Sequence, residues 1–157
     1  MRANVLIVDD DQDICAYMKT LLENSGYTVE TLADPTVVMD HLREHEYHVI
    51  IVDLMMPKIG GIDLIRDIRR VDSDIAIMVS TGYPSVETAV EAMKLNVSDY
   101  VRKPFEIDDF RDQLAEVLKR KGVLFNPEEE LHRTIGRNIR NRRKEQELTL
   151  KQLARQA

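Results

Sequence analysis

Five groups in this chain are of types that can do chemistry, and they recur at comparable places along it: Asp9, Asp10, Asp53, Thr81 and Lys103. Each lies at or just past the end of a short apolar run. Three carboxylates drawn into one crevice repel each other, and the repulsion must be relieved by raised pKa values, by Lys103 or by a bound cation. Oxygen ligands with no His or Cys nearby favour a hard ion, and one or two carboxylates plus water and phosphate oxygens is how proteins usually hold Mg2+. A carboxylate beside Mg2+, a hydroxyl and an ammonium could receive a phosphoryl group, the metal and the lysine offsetting its charge. A dinucleotide or P-loop site would want glycines where Asp9 to Asp11 stand, so nucleotide binding is disfavoured. Taken on its own stretch, Asp53 could equally just open the following turn, with Met56-Pro57 as loop punctuation.

The elements that must position these groups can be read from periodicity. Val49-Ile50-Ile51-Val52 is an unbroken β-branched run, the pattern of a strand buried on both faces of a parallel sheet. Asn4 to Val8 predicts a strand before the acidic turn, and Ile14, Tyr17, Met18, Leu21 and Leu22 mark the core face of a helix that Gly26 ends. Cys15 shares that face as a buried, inert thiol. A second strand over Tyr27 to Leu32 leads to a helix opened by Asp34-Pro35 and carrying Val37, Val38 and Leu42. Past Gly60-Gly61, Ile62, Leu64, Ile65 and Ile68 mark a third helix, and Ile75 to Val79 a fourth strand that ends at Ser80-Thr81-Gly82. A helix from about Pro84 to Leu95, a short strand at Tyr100-Val101, and a last helix with Phe110, Leu114, Val117 and Leu118 complete the body. Five strand–helix repeats in strict alternation predict an α/β, doubly wound, five-stranded parallel sheet. That topology carries Asp9, Asp10, Asp53, Thr81 and Lys103 to one carboxyl edge, where ligands of open α/β sheets bind.

Composition bounds the rest. A chain of 157 residues holds one medium domain plus a small appendage, and 43% hydrophobic with 32% charged residues fits a soluble protein. No apolar run reaches membrane-spanning length, no signal peptide is expected, and the single cysteine fits a reducing compartment, so the chain is expected to be cytoplasmic. Charge is unevenly placed: residues 1–121 carry 14 Lys and Arg against 23 Asp and Glu, and residues 132–157 carry 8 against 2. An acidic body thus bears a basic tail, which suits nucleic-acid contact, although a solvated helix face is the commoner origin of such a run.

The acidic turn, Asp53 with Met56-Pro57 and Gly61, Ser80-Thr81-Gly82, and Asp99-Tyr100-Val101-Arg102-Lys103-Pro104-Phe105 together resemble the CheY-like receiver domain of two-component response regulators. The resemblance spans residues 4 to about 121 and implies a flavodoxin-like fold. It implies that Asp53 accepts phosphate from a sensor histidine kinase's phosphohistidine, and that Asp10, Asp53 and the Met55 backbone carbonyl hold Mg2+, with Asp9 helping through water. Lys103 would contact the phosphoryl group and its bond to Pro104 would be cis, Thr81 would swing toward a phosphoryl oxygen, and Tyr100 would turn inward behind it. Asp11 is read instead as a helix cap. The family also implies a homodimer through the fourth helix, fifth strand and fifth helix. Gly60, Asn96 and Gly82 depart from the usual Asp, Gly and Ala, and Asn still tolerates a left-handed turn. The stretch from Gly82 to Leu95 is similar to receivers of the enhancer-binding regulator class. Haloacid-dehalogenase-like phosphatases share aspartyl-phosphate chemistry but want an acid two residues after the nucleophile, where Met55 stands. A phosphoacceptor rather than an enzyme is therefore expected.

The sequence thus divides into a receiver over 1–121, a linker and helix start over 122–134, and an output segment over 135–157. Asn126-Pro127-Glu128-Glu129 is a strong helix start, and Thr149-Leu150-Lys151-Gln152 repeats the signature. Ile135 to Arg143 and Leu148 to Ala154 resemble the first two helices of the phage-repressor (Xre/Cro) helix-turn-helix family. In that family the next helix enters the major groove, and the sequence stops before it, so the chain is expected to be a piece of a longer DNA-binding regulator. Arg137, Arg140, Arg142, Arg143 and Lys151 are the candidate DNA-contacting groups. The alternative is a receiver acting only through protein contacts, with the tail as a linker or dimerisation helix.

Overall fold

The structure, a computed structural model, describes residues 2–123. The tail residues Arg137, Arg140, Arg142, Arg143 and Lys151, and the helix-turn-helix resemblance built around them, lie outside the described residues. The elements run β1 (Asn4–Val8), α1 (Gln12–Asn24), β2 (Thr28–Leu32), a short 3-10 turn (Pro35–Val37), α2 (Val38–Glu44) and β3 (Val49–Asp53). They continue with α3 (Gly61–Val71), β4 (Ala76–Thr81), α4 (Val86–Lys94), β5 (Asp99–Arg102) and α5 (Ile107–Arg120). All strand pairs are parallel, in the order β2-β1-β3-β4-β5.

Alternation along the central strands divides the interior in two. Val5, Ile7, Val49, Ile51, Ala76, Met78 and Val101 face α1 and α5, where Met18, Leu22, Phe110, Leu114 and Leu118 complete one core. Leu6, Val8, Ile50, Val52, Ile77, Val79 and Tyr100 face the other way and meet Val38, Leu64, Ile65, Ile68, Ala89 and Ala92. Because both faces of β3 are buried, its sequence needs no polar residue until Asp53.

The caps explain where the helices start. Asp11 accepts from the backbone N–H groups of Asp13 and Ile14, Asp34 from that of Thr36, and Ser85 from that of Thr88. The expected start of the fourth helix near Pro84 therefore moves to Val86, after the Ser85 cap. Asn96 ends its turn at φ 56, and Gly26 at φ 95. Tyr17 and Val37, expected on core faces, are 59% and 36% exposed. The burying positions of α1 are Cys15, Met18 and Leu22, which leaves Tyr17 on the flank.

Arg69, which no sequence periodicity marks, holds three elements together. Its guanidinium donates to the carbonyl oxygens of Leu95 (2.8 Å), Ile75 (2.7 Å), Asn96 (3.0 Å) and Asp72 (3.3 Å), tying the end of α3 to the end of α4 and the entry of β4. Burial pulls its pKa below the ordinary arginine value, while Asp72 and Asp74 oppose that. Gly61 marks a second close approach: a Cβ there would meet the Asp53 carbonyl oxygen and lie 2.5 Å from Leu54 Cα. Only glycine lets α3 begin directly against the end of β3, where its N–H reaches the Leu54 carbonyl at 3.0 Å.

Candidate functional site

The strand order reverses around β1 and β3, so the loops leaving these two neighbours diverge and open a crevice at the carboxyl edge. The loop after β1 carries Asp9 and Asp10, and β3 ends on Asp53. Carboxylate oxygens of all three lie within 4.8 Å of one another. Asp9 and Asp53 are 4% and 7% exposed, whereas Asp10 faces solvent.

Lys103 enters from the loop after β5, as expected. Its ammonium pairs with Asp9 Oδ2 and stands 3.9 Å from Asp53 Oδ2. Its closest partner is thus Asp9, whose remaining oxygen accepts from the Asp11 N–H at 3.0 Å. The Lys103–Pro104 bond is cis. Asp53 Oδ1 accepts from the Met55 N–H at 3.2 Å, so the turn carrying the Met55 carbonyl is tied to the carboxylate it follows.

One cation cannot balance three acids. Burial pushes the Asp53 carboxyl up to about 6; Lys103 and the Met55 N–H pull it down, and Asp9 and Asp10 add to the rise. A carboxylate cluster without sulfur or imidazole donors, left with excess negative charge, fits a hard divalent cation such as Mg2+.

Thr81 closes β4 and is fully buried. Its hydroxyl accepts from the Tyr83 N–H at 3.1 Å, and its carbonyl accepts from the Lys103 N–H at 2.7 Å, coupling the β4 and β5 loops. Tyr100 is buried, and its hydroxyl lies 2.8 Å from Thr88 Oγ1, which is itself 2.8 Å from the Ser85 cap. The Tyr100–Thr88 link joins β5 to α4, and the spacing of the two residues in sequence offered no sign of it. Met55 and Tyr83, on the loops after β3 and β4, are 57% and 74% exposed. Cys15 is buried as expected; its thiol donates to the Asp9 carbonyl at 3.2 Å, and burial first, then Asp9, push its pKa up to about 11.

No helix among the described residues is long and apolar enough to cross a membrane. The chain is 32% identical over 117 residues to the transcriptional regulatory protein ZraR of Klebsiella oxytoca, covering 74% of this chain and 26% of that protein. It is 29% identical over 122 residues to the uncharacterized transcriptional regulatory protein YkoG of Bacillus subtilis, covering 78% of this chain and 54% of that one. The match therefore spans about a quarter of the first relative and about half of the second. Among solved structures, a response regulator receiver domain from Clostridium thermocellum is 31% identical with a TM-score of 0.72, over 78% of this chain and 99% of that one. A CheY-like receiver from Methanospirillum hungatei superposes with a TM-score of 0.75 at 25% identity, over 78% and 98% of the two chains. Residues 5–115 match the response regulator receiver domain family, and with the acidic crevice, Thr81 and Lys103 gathered at one sheet edge, this chain belongs to that family.

Proposed function

We propose that Asp53 accepts a phosphoryl group from a sensor histidine kinase in an Mg2+-dependent reaction, and that the receiver thereby switches a DNA-binding output. The observation that carries this reading is a nearly buried carboxylate, Asp53, set between two further acids and one lysine at the strand-order reversal. An Asp53 oxygen would attack phosphorus, the P–N bond to the kinase imidazole would break, and the leaving nitrogen would keep the electron pair and take up a proton. Lys103, already within 3.9 Å of Asp53, would steady the transferred oxygens. Mg2+, held by Asp10, Asp53 and the Met55 carbonyl with Asp9 helping through water, would supply the charge that offsets phosphate. Thr81 would exchange its bond to the Tyr83 N–H for a phosphoryl oxygen, and the β4–α4 loop would follow.

The chain acts here as a phosphoacceptor, and homodimerisation through α4, β5 and α5 is what the family resemblance leads one to expect. Relatives named as transcriptional regulatory proteins, together with the basic residues of 132–157, support a DNA-binding output. The test is acetyl phosphate with Mg2+, read by intact mass and oligomeric state. One phosphoryl group should be gained by the wild type and none by Asp53→Asn or in chelator; labelling that persists in either would refute the assignment. Duplex binding that strengthens sharply when the chain is extended by the next helix would support the output reading, and equal binding by both lengths would refute it.

A further inference from the structure

Beyond the acidic crevice, one other cluster among the described residues gathers metal-binding side chains: Glu30, His41 and His45, whose candidate donor atoms all lie within 4.8 Å of one another. We propose that these three residues form a second cation site, for a late first-row transition metal such as Zn2+ or Ni2+.

The elements bring the donors together from two places. Glu30 sits on the edge strand β2, opposite Leu6 in the register, so it lies on the same sheet face as α2. His41 lies in the last turn of α2 and His45 caps its end, four residues on, with its N–H bonded to the His41 carbonyl at 2.9 Å. That spacing stacks the two imidazoles on one helix flank, with ring centroids 5.6 Å apart.

Three observations point to a ligand. His41 Nδ1 is buried and has no hydrogen-bond partner. It stands 3.9 Å from Glu30 Oε2, too far for a hydrogen bond but within the span that one cation bridges at about 2.1 Å from each donor. Tyr47, meanwhile, donates its hydroxyl to that same Glu30 oxygen and so orients the carboxylate, as hydrogen bonds to ligating carboxylates do. The Tyr47 ring also meets His45 edge-on at 6.4 Å.

The donor chemistry separates this site from the crevice. Two imidazoles and one carboxylate suit Zn2+ or Ni2+, whereas carboxylates alone suit Mg2+. A bound ion would clamp the end of α2 to the edge strand, with a position left for water or an outside ligand.

The test is a titration of the full chain with zinc chloride or nickel chloride in excess Mg2+, which keeps the acidic crevice filled. One equivalent should bind, raise the Tm, and shift the His41 Nδ1 resonance in imidazole 15N spectra. His41→Gln and His45→Gln should each weaken binding by more than Tyr47→Phe, whose loss of the orienting bond costs about tenfold. His48→Gln and His132→Gln should leave binding unchanged. Metal-free Tm values near wild type would show that the variants remain folded. Equal binding by the His41→Gln/His45→Gln double variant, an unmoved Nδ1 resonance, or no response to either metal would overturn the site.

Discussion

Replacing Asp53 by Asn should stabilise the protein in the absence of divalent cations. Asn has the shape and neutrality of the protonated acid. The folded carboxyl titrates at about 6 against an ordinary value of 3.8, a rise of about two units, which at 1.36 kcal/mol per unit amounts to about 3 kcal/mol. The sign follows from proton uptake: between the two values the folded state binds the proton and the unfolded chain does not, so the contribution of Asp53 to stability falls as pH rises. The penalty is absent below about pH 4 and complete above about pH 6. Urea denaturation in chelator at 25 °C should therefore give indistinguishable midpoints near pH 4. At neutral pH the Asn variant should lead by about 1.5 M urea, taking a denaturant slope of about 2 kcal/mol per molar. Mg2+ should shrink or invert the gap, because Asn removes one of its ligands. A variant no more stable than wild type at neutral pH, or a gap unaffected by acidification, would refute the electrostatic account of the crevice.

Removing Lys103 as Lys103→Met leaves Asp9 buried without its ion partner; urea denaturation in chelator should show a loss of about 3 kcal/mol, partly recovered by Mg2+, and acetyl-phosphate labelling should fall. Gly61→Ala should cost about 2 to 3 kcal/mol by the same method, since its Cβ lands on the backbone of Asp53 and Leu54. Arg69→Lys keeps the charge but loses the fork that reaches four carbonyls, and should lower stability by about 2 kcal/mol. Cys15, with its thiol raised to about 11, holds about a thousandth of its population as thiolate at pH 8, so it should resist maleimide until urea unfolds the chain. Met55→Asn should speed loss of phosphate from labelled protein severalfold by easing water's approach; an unchanged decay rate would show that Met55 does not shield the site.

How much of this could be read beforehand depends on whether a residue's partner is set by periodicity or by packing. Central strands buried on both faces must be apolar throughout, so Val5 to Val8 and Val49 to Val52 announced themselves, and any polar residue just past such a run had to mark the sheet edge. That is why Asp9, Asp53 and Lys103 were legible as a group. The choice of Asp9 over Asp53 as the closer partner of Lys103 turns on angstrom-scale side-chain placement, which spacing does not carry. Tyr17 departs from its helical spacing for a related reason: on α1 the buried stripe is narrow, running through Cys15, Met18 and Leu22, and an aromatic one position off it remains in solvent. Arg69 and Glu30 were invisible as contributors because their partners lie on other elements, brought within reach only by the strand register and helix packing.

The Arg69 clasp gives α4 a mechanical asymmetry. Its foot is moored through Leu95 and Asn96 to α3 by several bonds, while its head is tied to β5 by the Thr88–Tyr100 hydrogen bond and leads through Ser85 into Gly82, where space is open. A beam clamped at one end and held by a single bond at the other does not slide when pushed; it pivots. Any pull on Thr81 would therefore be delivered as a tilt of α4, largest at the end nearest the crevice and vanishing at the guanidinium.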